Sequence, residues 1–224
     1  MSFSRVLKER ANKVWEEGYN HPFVQGLGKG TLDKEKFQFY LLQDYHYLLQ
    51  YSKVYALAAV KSDNEELQTQ FSTIQYNILV NEMNLHREYM AGFGITPVQV
   101  KNAKSSLYNR TYTANMLAVA QTGDLAETLA TIFPCAWTYG DYAKRLKNQY
   151  ADCLDSNFYK TWIEKYAGNE YNDSFEWFYD LMDDLVANKS DTQREKIAEI
   201  FISSVEFEYL FWDMAYKQEM TFYK

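Results

Sequence analysis

Residues 3–18 read FSRVLKERANKVWEEG, and their apolar side chains recur at intervals of three and four positions. This spacing lines up apolar groups on one face of a helix and leaves the charged groups on the other. The stretch therefore predicts an amphipathic helix. The apolar positions are Phe3, Val6, Leu7, Ala11, Val14 and Trp15.

Capping and turn residues divide the rest of the chain into further helices. Asp33 is placed as an N-cap, Pro97 at a first helical position, and Pro134 inside a long helix. The three glycines within residues 23–30 predict a loop there. The helices are predicted over about 34–60, 65–91, 97–121, 125–150, 155–167, 171–187 and 192–219.

Neither strand alternation, nor a repeat, nor a linker of Pro, Ser or Gly is found in the sequence. The chain has 9 Gly and 3 Pro in 224 residues, whereas ordinary usage of roughly 7% and 5% would give about 27. We therefore expect one all-α domain over residues 1–224, built from seven or eight helices.

The charge balance argues against two classes of partner. The net charge is −7, from 30 acidic and 23 basic residues, whereas nucleic acids and anionic membrane surfaces attract basic faces. No apolar run approaches the length of a membrane span, and residues 1–10 lack the apolar core of a signal peptide. With two cysteines and no disulfide framework, a cytoplasmic location is expected.

Cys135 is the first candidate for chemistry because it follows Pro134 within a predicted helix. A helical proline deprives the carbonyl four residues back, at Ala130, of its partner and favours a kink. Tyr139, four residues after the cysteine, shares its helical face. A thiol beside a phenol at a kink is a candidate nucleophile, although a buried structural cysteine explains the same pattern.

Two carboxylates interrupt otherwise apolar helical faces. Asp44 lies on a stripe with Tyr40, Tyr47 and Tyr51, where it is either a ligand for an amine-bearing flat ring or an exposed residue at the edge of the stripe. Glu208 is the one acid on the apolar face of the last helix. A carboxylate in this position suits either a proton donor or a buried group that tyrosine hydroxyls hydrogen-bond. Glu206 points elsewhere, about 160° around the helix from Glu208.

Metal and cofactor motifs are not found in the sequence. Glu82 and His86 have an i,i+4 spacing that a metal tolerates, but no Glu-x-x-His pair accompanies them. The spacing favours a hydrogen-bonded pair, on the helix surface or in the core, over two metal ligands. Neither a P-loop nor a dinucleotide fingerprint occurs, so we expect no metal and no cofactor.

Short pieces of sequence occur along the chain in a definite order. They are His21-Pro22-Phe23, Gly30-Thr31-Leu32, Phe37, Tyr40-Leu41, Gln43-Asp44-Tyr45, Tyr47-Leu48, Tyr112-Thr113, Pro134-Cys135, Trp137, Tyr139, Trp162-Ile163, Tyr166, Glu208-Tyr209 and Phe211-Trp212-Asp213-Met214-Ala215-Tyr216. In this order and at this spacing, they resemble the thiaminase II (TenA) family, whose fold is similar to haem oxygenase without the haem. The resemblance spans nearly the whole chain, and the order and spacing of the pieces make it specific.

The resemblance implies a cofactor-free hydrolase in thiamine salvage. Such enzymes convert 4-amino-5-aminomethyl-2-methylpyrimidine to the 5-hydroxymethyl compound and ammonia, and they cleave thiamine to the pyrimidine alcohol and the thiazole. Family members are commonly homotetramers. The resemblance therefore implies a small-molecule pyrimidine as the substrate and a homotetrameric assembly.

The resemblance also implies residue roles. Cys135 adds to the pyrimidine ring, Glu208 acts as acid and base, and Tyr47 supports the cysteine. Asp44 holds the amino-pyrimidine edge. The remaining members of the implied substrate site are Tyr112, Trp137, Tyr139 and Tyr166.

Two other functions remain open from the sequence. One is a non-haem iron oxidase on the same scaffold, with Glu82 and His86 as ligands. The other is a regulator that binds the pyrimidine without turning it over.

Overall fold

A computed structural model describes residues 2–221 and 223 of the chain, and no strand occurs among them. The first α-helices are α1 (Phe3–Tyr19), α2 (Pro22–Lys29), α3 (Lys34–Lys61), α4 (Glu65–Asn77) and α5 (Met83–Gly92). They are followed by α6 (Pro97–Asn102), α7 (Leu107–Thr122), α8 (Leu125–Gln149), α9 (Lys160–Ala167), α10 (Asn169–Asp173), α11 (Trp177–Val186) and α12 (Asp191–Lys217). The all-α prediction is confirmed.

The described chain divides into two compact units. The first unit contains residues 2–32 and 129–216, and the second contains residues 33–128, 217–221 and 223. Helices α1, α2, α9, α10 and α11 belong to the first unit with most of α8 and α12, while α3 to α7 belong to the second. The single domain over residues 1–224 stays a prediction.

Helix α2 corrects the loop predicted over residues 23–30. Pro22 occupies the first helical turn, the His21 ring accepts a hydrogen bond from the backbone N–H of Phe23, and Gly30 ends the helix at φ 72°. A Cβ added to Gly28 would lie 2.5 Å from the Tyr150 ring. Glycine at this position therefore permits close packing of α2 rather than marking a loop.

The single helix predicted over residues 97–121 is interrupted at residues 103–106. Ser106 caps α7 by accepting from the backbone N–H of Asn109. Gln43 on α3 accepts from the backbone N–H of Ser106 at 2.8 Å and donates to the carbonyl of Lys104 at 3.0 Å. These bonds from a distant residue satisfy backbone groups that a continuous helix would have paired locally.

The helix predicted over residues 65–91 contains a π-helical turn, Ile78–Glu82, between α4 and α5. The helix predicted over 155–167 begins only at Lys160, after a 3₁₀ segment, Ala151–Ser156. The helix predicted over 171–187 is divided into α10 and α11. No helix of the described residues is long and apolar enough to cross a membrane.

Candidate active site

In the first unit, two contacts fix the register of α8 against α12. The hydroxyl oxygens of Thr131 and Ser204 lie 3.2 Å apart, and the rings of Tyr139 and Trp212 have centroids 5.0 Å apart. Both contacts join residues 73 positions apart. Because both contacts advance together by eight residues, the two helices run parallel.

Cys135 and Glu208 lie at the same level of this helix pair. Each is four residues after the first contact and four before the second, on the same helical faces, and they too are 73 positions apart. Both are buried, with 8% of Cys135 and 3% of Glu208 exposed. The register therefore places a thiol and a carboxylate opposite each other inside the first unit.

The two glutamates near the end of α12 have different environments. Glu208 is buried, whereas Glu206 is exposed to solvent.

The phenol of Tyr142 on α8 donates to the carbonyl of Trp15 at 2.7 Å. Burial and then the charge of Glu208 raise the pKa of Tyr142 well above its ordinary value. Tyr142 therefore stays a neutral hydrogen-bond donor in the neighbourhood of Glu208.

Tyr139 and Tyr166 meet in an aromatic cluster of the first unit. Their ring centroids are 5.0 Å apart in an edge-to-face arrangement, and Trp162 packs against both rings. Tyr139 shares the face of Cys135 on α8, one turn later. The structure thus brings together two of the tyrosines that the family resemblance implies for the substrate site.

Trp137 packs against other rings than Tyr166 and Trp162, which contact Tyr139. Its ring packs against Trp15, Phe133 and Tyr179, and the Lys8 ammonium lies 5.3 Å from its ring centroid. It also lines a cavity of about 430 Å³ with residues of α1 and α11. Successive positions on a helix differ by about 100°, so residue 137 faces away from residues 135 and 139. The structure does not bring Trp137 together with the other predicted residues of the first unit.

Asp44 in the second unit is buried and hydrogen-bonded. Its carboxylate oxygen Oδ2 lies 2.5 Å from Nε2 of His86 on α5 and accepts from the phenol of Tyr40 at 3.3 Å. The Asp44 and His86 side chains are 5% and 4% exposed. The alternative of an exposed aspartate at the edge of the aromatic stripe is therefore wrong.

Tyr47 and Tyr112 also meet in the second unit. Their ring centroids are 5.2 Å apart and their hydroxyl oxygens 3.5 Å apart. Tyr47 stacks on Tyr51 at 5.1 Å, and its hydroxyl lies 3.7 Å from the sulfur of Met116. Both tyrosines are buried, and their phenol rings pack against each other between α3 and α7.

In the second unit, the residue before Asp44 is hydrogen-bonded to the segment that leads into α7. This residue, Gln43 on α3, forms the bonds to residues 104 and 106 described above. Its backbone carbonyl accepts from the side-chain amide of Asn109 at 2.7 Å. A fully bonded glutamine of this kind fixes the helix turn that carries Asp44.

The side chains of Glu82 and His86 are not arranged as two ligands of one metal ion. Nδ1 of His86 lies 2.9 Å from the backbone carbonyl of Glu82, and Nε2 faces Asp44. No group of three or more His, Cys, Asp or Glu side chains that could hold a metal ion occurs in residues 2–221 and 223.

Sequence reasoning considered His86 only beside Glu82 and missed its pairing with Asp44. Asp44 and His86 are 42 positions apart on helices with no local pattern that connects them. The one available signal was the cost of burying an acid on the aromatic stripe, which demands a partner. Only three histidines occur in the chain, and each was therefore worth testing as that partner.

Comparison with known proteins identifies the class of this fold. A domain of unknown function from Shewanella denitrificans, described as having a haem oxygenase-like fold, superposes with a TM-score of 0.76 at 16% identity. The superposition covers 96% of this chain and 92% of that one. The fold is therefore the all-α, haem oxygenase-like fold.

Sequence comparison identifies the family. The TENA/THI-4/PQQC family matches residues 8–218. A Helicobacter pylori protein named aminopyrimidine aminohydrolase is 41% identical, over 97% of this chain and 100% of its own length. A protein of the same name from Halalkalibacterium halodurans is 38% identical, over 100% of this chain and 99% of its own length. The chain belongs to the TENA/THI-4/PQQC family, and the predicted family and enzyme class are confirmed.

Proposed function

We propose that the protein is an aminopyrimidine aminohydrolase that converts 4-amino-5-aminomethyl-2-methylpyrimidine and water to the 5-hydroxymethyl pyrimidine and ammonia. The observation that carries the proposal is the register of α8 and α12, which aligns buried Cys135 with buried Glu208. The names of the two full-length relatives support the same reaction class.

Cys135 acts as the nucleophile in this proposal. Its sulfur adds to the pyrimidine ring as a thiolate, and the electron pair displaced into the ring expels the exocyclic amine, which Glu208 protonates as it leaves. Water then adds to the exocyclic carbon and returns a proton to Glu208. Expulsion of the thiolate restores the aromatic ring, so that one difficult substitution is divided into easier steps.

Asp44 binds the substrate in this proposal, because its carboxylate is held rigidly and charge-assisted hydrogen bonds to amino groups are strong. The phenol rings of Tyr47 and Tyr112 offer aromatic surface for a flat ring, and so do Tyr139 and Tyr166. A supporting role of Tyr47 toward Cys135 belongs to the same proposal. We propose no role in substrate binding for Trp137, because its ring packs against Phe133 and Tyr179 rather than against Tyr139.

Three further features belong to the proposal and rest on the family resemblance. They are cleavage of thiamine to the pyrimidine alcohol and the thiazole, a homotetrameric assembly, and operation without a metal or cofactor. The cytoplasmic location stays a prediction from the cysteine content. Neither the iron-oxidase nor the regulator alternative has a specific observation in its favour.

The reaction is tested by incubating the purified chain with 4-amino-5-aminomethyl-2-methylpyrimidine and measuring ammonia and the pyrimidine alcohol. We expect both products in equal amounts from protein treated with a chelator. Thiamine is the second substrate, with release of the thiazole as the readout. Binding of the pyrimidine without either product would overturn the proposal in favour of a binding protein.

A further inference from the structure

The ring of His86 is hydrogen-bonded through both nitrogens, and its partners determine where its protons are. Nδ1 lies 2.9 Å from the backbone carbonyl oxygen of Glu82. A carbonyl oxygen only accepts hydrogen bonds, so Nδ1 must carry a hydrogen.

The other nitrogen requires a second proton. Nε2 lies 2.5 Å from Oδ2 of Asp44. A bare ring nitrogen and a bare carboxylate oxygen are both acceptors and would repel each other at this distance. One proton therefore lies on the Nε2–Oδ2 hydrogen bond, and the two side chains together have no net charge whether that proton is assigned to nitrogen or to oxygen.

We propose that His86 is a positioning residue, which holds a proton against Oδ2 of Asp44 so that Oδ1 alone is presented to the ligand as an acceptor. The proposal rests on the proposed function for the contact between Asp44 and the ligand and for the identity of that ligand, an aminopyrimidine. His86 acts through Asp44 and makes no contact with the ligand.

Burial and the bonding of Asp44 support this assignment. The two side chains are 4% and 5% exposed, and a single unpaired charge in such a place is strongly disfavoured, whereas a pair without net charge is not. The phenol of Tyr40 also donates to Oδ2. Among the described residues, the hydrogen bonds to the Asp44 side chain all end on Oδ2.

The consequence is a specificity rule for the ligand. Because the proton lies on the Oδ2 side, Oδ1 accepts and does not donate, and the ligand must offer an N–H group. The 4-amino group of the pyrimidine does so. A 4-methoxy analogue would place an acceptor against an acceptor, and sites built around one polar group reject such analogues by large factors.

The test is the affinity for the product alcohol, 4-amino-5-hydroxymethyl-2-methylpyrimidine, measured by calorimetry. His86→Met removes the donor at similar length, and we expect it to weaken binding about tenfold, in line with the loss of one charge-assisted hydrogen bond. His86→Gln keeps an N–H donor and should stay within about threefold of the parent chain. Equal weakening by both substitutions would show that only the shape of the ring matters and would overturn the proposal.

A double-mutant cycle separates action through Asp44 from a general structural effect. In the Asp44→Ala background, His86→Met should cause no further loss of affinity, because alanine has no side-chain acceptor for His86 to position. The same loss in both backgrounds would contradict the positioning role.

Nitrogen-15 NMR of the ligand-free chain tests the proton directly and needs no substrate. We expect a proton on Nδ1 of His86 and a second, far-downfield proton on the Nε2–Oδ2 bond that is lost in Asp44→Asn. A His86 ring without the second proton overturns this inference even if ammonia is released. If the alcohol binds and the double-mutant cycle couples His86 to Asp44, but no ammonia is released, the proposed reaction is overturned and the role of His86 is supported. An alcohol that binds to none of these proteins would refute the ligand assignment.

Discussion

Glu208 and Glu206 form a natural pair for a test at the level of single residues. They lie two positions apart on α12, and one is buried while the other is exposed. Opposite sides of one helix thus provide a functional candidate and a matched control of the same chemistry.

Glu208→Gln should lower kcat for ammonia release by about 10²–10⁴-fold, which is the range that general acid–base catalysis supplies. Glutamine keeps the shape of the side chain but carries no titratable proton. Glu206→Gln should leave the rate unchanged within about twofold. Comparable losses in the two variants, with circular dichroism and Tm unchanged, would refute the role of Glu208.

The environment of His46 predicts how the free energy of unfolding depends on pH. Burial lowers the pKa of His46 below its ordinary 6.5, although a hydrogen bond to the backbone of Ala103 raises it in part. The unfolded chain therefore binds a proton at this residue more readily than the folded chain, and stability that is complete above about pH 6.5 declines as the pH falls below that value.

The free energy of unfolding in urea should accordingly be lower at pH 5.5 than at pH 7.5. In His46→Phe this decline should be smaller, because the substituted ring does not titrate. The other two histidines are present in both proteins and serve as an internal control. An identical decline in the two chains would mean that burial of His46 does not oppose its protonation.

At the level of helices, α2 shows what the sequence could not reveal. Gly26 and Gly28 are typical of loops, yet the capping by His21 and the packing against Tyr150 and Leu146 make this stretch a helix. Two carbonyls at the end of α2, those of Leu27 and Gly28, accept from the Asn157 amide. Contacts with residues more than a hundred positions away decided the structure here, and a local pattern does not contain them.

Gly28→Ala should destabilise the chain, because the new methyl group would lie 2.5 Å from a Tyr150 ring carbon and 2.7 Å from a Leu146 methyl carbon. Overpacking of this kind costs about 1–3 kcal/mol, or several degrees of Tm at this chain length.

Gly92→Ala is the matched control for that substitution. Gly92 is also helical, and an added Cβ meets nothing within 4 Å. Alanine should therefore leave Tm unchanged or raise it, since it favours a helix over glycine by up to about 1 kcal/mol. Equal Tm shifts in the two variants would contradict the close packing at Gly28.

At the level of the whole molecule, the sequence predicted the helices better than it predicted which side chains contact each other. The 3–4 spacing identified α1 and the face that carries Glu208, because helical periodicity is a local property. The pairing of Asp44 with His86 and the separation of Trp137 from Tyr139 depend on tertiary packing. For the latter, the 200° between positions 137 and 139 was a usable signal.

The assembly is a further prediction at this scale. Several large apolar side chains of the second unit are exposed, among them Val60 at 81%, Val98 at 67% and Tyr76 at 60%. A homotetramer, which is the assembly that the family resemblance implies, would cover such side chains where they lie at a contact between chains. Light scattering should give a mass of four times 26.5 kDa, and a mass of 26.5 kDa at micromolar concentration would contradict the tetramer.

Ammonia release by Cys135→Ser, measured beside Cys153→Ser, shows whether Cys135 is the nucleophile. Cys135 is buried opposite Glu208, whereas Cys153 is exposed, so the two variants remove the same thiol group from different environments. We predict that Cys135→Ser binds the pyrimidine but releases ammonia only at the background rate, and that Cys153→Ser keeps the rate of the parent chain. Ammonia release at the parent rate by Cys135→Ser would mean that the reaction does not proceed through this thiol.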